Sequence, residues 1–199
     1  MVVVAARALL QHHGFHFRLG GGSGLPVLVD RAEHGRHLGQ AFVVFVVAEF
    51  LELGVGTGAI TKFIARVVPD RNSYLGIELN PVLAKSAVEK FTDLRIVQGN
   101  ACEAQSIHKE SGLGKISYIV SGLPFVSLPA EVSEKVYLEI ERLMTAGCMF
   151  RTFQYAHGYY TPAALKLREF MRNRYGKSKR SPLVVKNVPP AYTLTWSTI

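Results

Sequence analysis

A chain of 199 residues, 48% hydrophobic and 19% charged, has the size and composition of one folded domain that buries a core, which excludes a disordered polymer. Its longest uninterrupted apolar run, 41–48, falls far short of the roughly 20 residues that span a bilayer, and two cysteines, Cys102 and Cys148, exclude both a disulfide scaffold and a four-thiolate zinc site. The formal net charge of +8 is uneven, with +2 on residues 1–48, −2 on 49–150 and +8 on 151–199, so the C-terminal quarter is expected to meet phosphates, on lipid or on nucleic acid.

Residues 1–48 form a segment of their own. They carry five of the seven histidines and the loop Gly20-Gly21-Gly22-Ser23-Gly24, without a sustained period of 2 or 3.6 residues. His12, His13 and His16, or His34 and His37, lack carboxylate or thiolate partners at a metal-binding spacing, so no metal site is expected. Arg7 interrupts the opening apolar patch and no small-residue cleavage site follows, which argues against a secretory signal; a reducing cytoplasm is the expected compartment.

From there short apolar runs alternate with amphipathic stretches. The β-branched and aromatic run 41–53 predicts a buried strand, and 58–68 a helix closed by Pro69. A second strand is expected over 73–79, with a helix from Pro81 to about Phe91, then a third strand over 94–99 and a helix from Glu103 to about Ser111. A fourth strand over 115–122 precedes a helix from about Pro129 to Met144, and 148–155 reads as a fifth strand. Thr161-Pro162 opens a basic helix to about Tyr175. Two closing strands, 182–188 and 191–197, are separated only by Pro189-Pro190 and so must run antiparallel. The expected fold is α/β: five parallel strands and a C-terminal antiparallel hairpin, with helices on both faces.

The chemistry concentrates at strand ends. Strand one ends in Glu52-Leu53-Gly54-Val55-Gly56-Thr57-Gly58-Ala59 before a helix, a turn that brings backbone close to a nucleotide-like ligand and offers helix amides to it. Gly54, Gly56 and Ala59 also satisfy the dinucleotide pattern G-x-G-x-x-A, so the loop alone leaves the ligand open. Glu78, at the end of strand two, can accept from both hydroxyls of an unphosphorylated ribose, as in NAD or S-adenosylmethionine. Asn100, closing strand three, can bond an adenine amine. After strand four, Ser121-Gly122-Leu123-Pro124-Phe125 can turn carbonyls toward an amine with Phe125 beside it, or equally form a buried turn with Phe125 in the core.

Together these segments, 52–65, 74–81, 94–101, 118–129, 151–160 and 181–196, resemble the bacterial phospholipid N-methyltransferases, a branch of the Rossmann-like class I S-adenosylmethionine-dependent methyltransferases related to the ribosomal RNA adenine dimethyltransferases. The resemblance covers about residues 49–197, making 49–199 the methyltransferase domain and 1–48 a divergent N-terminal segment. It implies methyl transfer from S-adenosylmethionine, leaving S-adenosylhomocysteine, to the amine of phosphatidylethanolamine. By position Glu52, Gly54, Gly56 and Gly58 match the cofactor loop, Glu78 and Leu79 the ribose-binding end of strand two, Asn100 and Ala101 the adenine turn, and Ser121 to Phe125 the loop beside the transferred methyl. Val55 stands where the family usually has Pro, and Asn100 where it has Asp.

No metal or covalent nucleophile is needed for such a displacement, whose main requirement is positioning. Tyr155 and His157 are placed to help the amine shed a proton, and Phe153, Tyr155, Tyr159 and Tyr160 could equally be aromatic packing. On the basic helix, Ala163, Leu167, Phe170 and Met171 share a face, leaving Lys166, Arg168, Arg172 and Arg174 to meet an anionic leaflet as a peripheral contact with the inner face of the cell membrane. The alternatives are a ribosomal RNA adenine N6-methyltransferase, disfavoured because Ser121 occupies the place of its base-gripping Asn, and an inactive methyltransferase-like binding protein.

Overall fold

The computed structural model describes residues 48–198 except Pro69 and Lys186. The histidines of the N-terminal segment, its glycine loop and most of the apolar run 41–53 lie outside the described residues.

Seven strands form one sheet in the order β3-β2-β1-β4-β5-β7-β6. Strands β1 (Glu49–Leu53), β2 (Tyr74–Glu78), β3 (Arg95–Gln98), β4 (Ile116–Ser121) and β5 (Met149–Tyr155) are mutually parallel, and β7 (Ala191–Ser197) runs antiparallel to β5. The alternation along the chain thus produces the parallel sheet it implies, because each crossover helix returns the chain to the same end of the sheet.

Alternate residues of the strands feed two cores. One, built on Leu51, Leu53, Leu75 and Phe150, packs against Ile107 of α3 (Ala104–Ser111), Val136 and Ile140 of α4 (Ala130–Leu143) and Leu167 and Met171 of α5 (Pro162–Tyr175). The other, built on Phe50, Tyr74, Ile96 and Val120, packs against Ile64 of α1 (Thr61–Ile64) and Ala87 of α2 (Pro81–Lys90). Local signals set the helix starts: Asn80 accepts from the amides of Val82 and Leu83 ahead of Pro81, and Thr161 accepts from Ala164 ahead of Pro162.

Three expectations are corrected. The helix expected over 58–68 is the single turn Thr61–Ile64 flanked by turns, since three glycines delay its start. The strand expected over 182–188 is instead a loop making one bridge, Val184 to Ala191, and the hairpin partner of β7 is β6 (Lys179–Arg180), paired with Thr195 and Leu194. Pro182 and the Pro189-Pro190 pair remove amides that a ladder through 182–188 would need. On α5 the fully buried small residue is Ala164, while Ala163 is half-buried, a rotation of the apolar face by one position.

Candidate functional site

The C-terminal ends of the five parallel strands share one edge, where open α/β sheets bind ligands. Along that edge lie the glycine loop after β1, Glu78 and Leu79 after β2, Asn100 and Ala101 after β3, Ser121 to Phe125 after β4 and Tyr155 at the end of β5. The topology therefore gathers the residues singled out for cofactor and acceptor, which are up to 103 positions apart in the chain from Glu52 to Tyr155.

The glycine loop turns through left-handed backbone, with φ of 78° at Gly54, 56° at Gly56 and 75° at Gly58. At Gly58 the missing side chain is a packing need, because a Cβ would stand 2.3 Å from the Phe91 ring. At Gly56 the need is different: among the described residues nothing lies within 4 Å of where a Cβ would be. The loop is pinned from two sides. The Gly56 amide donates to Glu78 Oε2 over 2.8 Å, and Lys90 Nζ donates to the Thr57 carbonyl over 3.1 Å.

Glu78 accepts through its other oxygen from the Asn80 amide, 2.9 Å, which leaves each carboxylate oxygen with further lone-pair capacity for a ligand. Beside it Leu79 is 64% exposed, an apolar surface at the sheet edge. Asn100 is half-buried and its Oδ1 accepts from the Cys102 amide, 3.0 Å, so the side chain also shapes the turn that begins α3.

Glu52 is placed differently from the other matched residues. It is 0% exposed beneath the loop, with Oε2 accepting from the Tyr74 hydroxyl at 2.6 Å and Oε1 from Thr61 Oγ1 at 3.1 Å. Burial lifts its pKa to about 7, against the lowering effect of those two donors, and the negative charge of Glu78 lifts it further. Tyr74 and Thr61 were not singled out by the sequence. The signal for Tyr74 lies in its register: it enters β2 two residues before Gly76, which pairs with Glu52 and leaves the phenol a clear path.

The loop after β4 is seated on the glycine loop. Gly122 donates to the Leu53 carbonyl over 2.8 Å, and the Leu123 side chain covers Gly54. Ser121 is buried, its Oγ accepting from the Leu123 amide and its carbonyl from Thr152 Oγ1. The carbonyls of Leu123 and Pro124 accept from Phe125 and Ser127 within the turn. Phe125 takes the core alternative: it is 2% exposed, with its ring 5.3 Å from that of Tyr137, so the expected ring beside the amine is part of the packing. Tyr155 is half-buried, between Phe153, edge-on at 5.2 Å, and His157, stacked at 5.6 Å, and forms an aromatic surface at the same sheet edge.

The four cations expected to meet a membrane all have partners within the fold. Lys166 pairs with Glu134 and Arg174 with Glu141, both on α4, and Arg172 lies 4.0 Å from Glu169. Arg168 donates to Gln154 Oε1 and to the Tyr159 carbonyl, at 2.7 and 2.6 Å, and stacks over the Tyr159 ring at 3.8 Å. That residue ties α5 to the end of β5. Among the described residues no helix is long and apolar enough to cross a membrane, and no group of three or more His, Cys, Asp or Glu could hold a metal ion.

No family model matches the chain. Over 104 residues it is 32% identical to the ornithine lipid N-methyltransferase of Singulisphaera acidiphila, a stretch that is 50% of this chain and spans about half, 54%, of that relative. Its fold is similar to that of Aeropyrum pernix fibrillarin with natively bound S-adenosyl-L-methionine, with a TM-score of 0.58 and 11% identity over 75% of this chain and 66% of that one. It is equally similar to a glycopeptide N-methyltransferase complexed with S-adenosyl-L-methionine, with a TM-score of 0.58 and 10% identity over 78% of this chain and 89% of that one. A TehB-like methyltransferase from Corynebacterium glutamicum matches with a TM-score of 0.53 and 17% identity over 77% and 81% of the two chains. The sheet order, the glycine loop and these likenesses together identify the architecture as the Rossmann-like fold of the class I S-adenosylmethionine-dependent methyltransferases.

Proposed function

We propose that this protein is an S-adenosylmethionine-dependent N-methyltransferase acting on the primary amine of a membrane lipid, phosphatidylethanolamine or an amino-acid-headed lipid of the ornithine type. The observation that carries the reading is the Gly56–Glu78 pair, a glycine backbone with no described neighbour where a Cβ would stand, bonded to a carboxylate one strand away. The residues suit the cofactor: Glu78 to accept from ribose hydroxyls, Leu79 to cover an apolar ring face, and the Asn100–Ala101 turn to meet the adenine. When bound, the cofactor supplies a methyl group on a sulfonium, and the chain's work is positioning and exclusion of water.

The lipid amine is favoured by the sequence similarity to an ornithine lipid N-methyltransferase and by the aromatic surface at Tyr155. A neutral amine must attack, so an ammonium arriving from water sheds its proton first. Each added methyl makes the nitrogen a larger and more weakly hydrated cation, which the half-buried Tyr155 ring would favour by about 0.5–2 kcal/mol. Ser121 argues against a nucleobase acceptor, since it is buried with its hydroxyl bonded within its own turn. The test is incubation of the full chain with methyl-labelled cofactor and, separately, vesicles containing each lipid and ribosomal RNA. Label in the organic extract supports the proposal, and label confined to RNA overturns the acceptor assignment.

A further inference from the structure

The hairpin that closes the sheet carries apolar side chains to the same edge as the candidate site. Ala191, the first residue of β7, pairs with Tyr155, the last of β5, and with Val184 through a single bridge. Residues 185–190 therefore form a tip that passes beyond the C-terminal edge of the parallel strands. The tip is fixed by its own backbone. The Val184 amide donates to the Ala191 carbonyl over 2.9 Å, the Asn187 side-chain amide to the Pro189 carbonyl over 2.6 Å, and the Ala156 amide, next to Tyr155, to the Pro190 carbonyl over 2.8 Å. On this anchored loop, among the described residues, Val185 is 67% and Val188 59% exposed. Stiff β-branched side chains held at the surface by a fixed turn are offered to an apolar partner.

Rings and cations stand behind the tip. The exposed Tyr160 meets Tyr159 edge-on at 5.2 Å, and Tyr159 meets Tyr192, next to Ala191, at 4.9 Å. The Arg180 guanidinium lies 4.7 Å over the Tyr192 ring and 5.3 Å over that of Tyr159, and Lys177 and Lys179, just before it in the chain, are exposed. The charge around them is of one sign: residues 151–199 carry nine Lys and Arg against one acid. Apolar tip, amphipathic rings and cations match in order the acyl boundary, the headgroup zone and the charged surface of an anionic bilayer.

We infer that the 185–190 tip docks on an anionic lipid bilayer, with Val185 and Val188 entering the acyl boundary and Tyr160 and Arg180 at the headgroups. The inference rests on the proposed lipid acceptor. Because Pro190 is bonded to the residue that follows Tyr155, a seated tip sets the Tyr155 end of the sheet edge against the headgroup layer, where a lipid amine lies.

The test puts a reporter at the tip. Trp196 is the chain's sole tryptophan and is buried, so Val185→Trp adds one exposed indole over a shielded background. Vesicles of phosphatidylglycerol in phosphatidylcholine, with no cofactor and no aminolipid, should shift its emission to the blue, and brominated acyl chains should quench it. Cosedimentation of the parent chain with these vesicles should weaken at least about tenfold in the variant carrying both Val185→Ser and Val188→Ser, with its thermal midpoint kept. It should weaken by a similar factor, at least about tenfold, on vesicles of phosphatidylcholine alone. Emission that stays red while the protein sediments with vesicles puts the contact on another surface and overturns the proposal. Emission already blue and shielded from acrylamide before vesicles are added means that protein, of this chain or a second copy, covers the tip, and overturns it too, as does a chain that never sediments. Binding of S-adenosylhomocysteine, measured on the same preparations, separates the two readings. A parent chain that docks and does not bind it defeats the methyltransferase reading alone, and one that binds it and does not dock defeats this proposal alone.

Discussion

The Tyr74 hydroxyl donates to Glu52 across 2.6 Å, from the first residue of β2 to the fourth of β1, passing over Gly76, where a Cβ would stand 2.6 Å from the phenol oxygen. A buried carboxylate is thereby held under the glycine loop. Its titration is linked to folding. The folded pKa of about 7 lies above the unfolded value near 4.5, so the native state binds the extra proton between these limits. The stabilisation is complete below pH 4.5 and is lost as pH rises through 7, by roughly 3 kcal/mol in all. Glu52→Gln should flatten this part of the stability profile, measured by denaturant unfolding from pH 5 to 8.

Tyr74→Phe removes one of the donors that stabilise the ionised carboxylate. Two consequences are expected: a loss of about 1–3 kcal/mol from an unsatisfied buried oxygen, and an upward move of the pH at which the Glu52 contribution disappears. Unfolding curves at two pH values separate them. An unchanged pH profile would remove Tyr74 from the network.

Gly56 and Gly58 should respond in opposite ways to alanine. Gly58→Ala drives a methyl into the Phe91 ring on top of the strain of positive φ and should cost about 2–5 kcal/mol, seen as a large drop in thermal midpoint. Gly56→Ala meets no neighbour among the described residues and should cost the strain of positive φ, about 1–2 kcal/mol. It should fold and yet bind S-adenosylhomocysteine at least tenfold more weakly in calorimetry.

Glu78→Gln keeps a side chain of the same length but loses the charge that strengthens hydrogen bonds from the Gly56 and Asn80 amides and, in the proposed cofactor site, from ribose. Charged hydrogen bonds of this kind contribute about 1.5–3 kcal/mol, so affinity for S-adenosylhomocysteine should fall by about 10- to 150-fold. A variant that binds as the parent does would remove Glu78 from the cofactor site.

Two arginines one turn apart on α5 should differ. Arg168→Ala loses two hydrogen bonds and a ring contact that join α5 to β5, and should cost about 2 kcal/mol. Arg172→Ala should change stability by less than about 0.5 kcal/mol, its partner Glu169 being exposed at 4.0 Å. Denaturation midpoints of the two variants make the comparison.

Much of the architecture was legible because it rests on local signals. The strand–helix alternation, Asn80 and Thr161 ahead of prolines, and glycines after β1 place the elements and gather the strand ends on one edge. What was not legible depends on distant partners. The pairing of Lys166 and Arg174 with α4 rests on carboxylates more than 30 positions away, and Phe125 reaches the core because Tyr137 stands there to receive it. Lys179–Arg180 is too short and too polar to read as a strand, and exists because β7 offers an open edge. Glu52 carries the motif of a cofactor contact and the burial of a structural network, a distinction that only the Tyr74 register reveals.

Direct calorimetric titration of the folded full chain with S-adenosylmethionine tests the central claim most sharply. Saturable one-to-one heat that is lost in Gly56→Ala is the predicted result. A parent chain that unfolds cooperatively and yet shows no heat would contradict it.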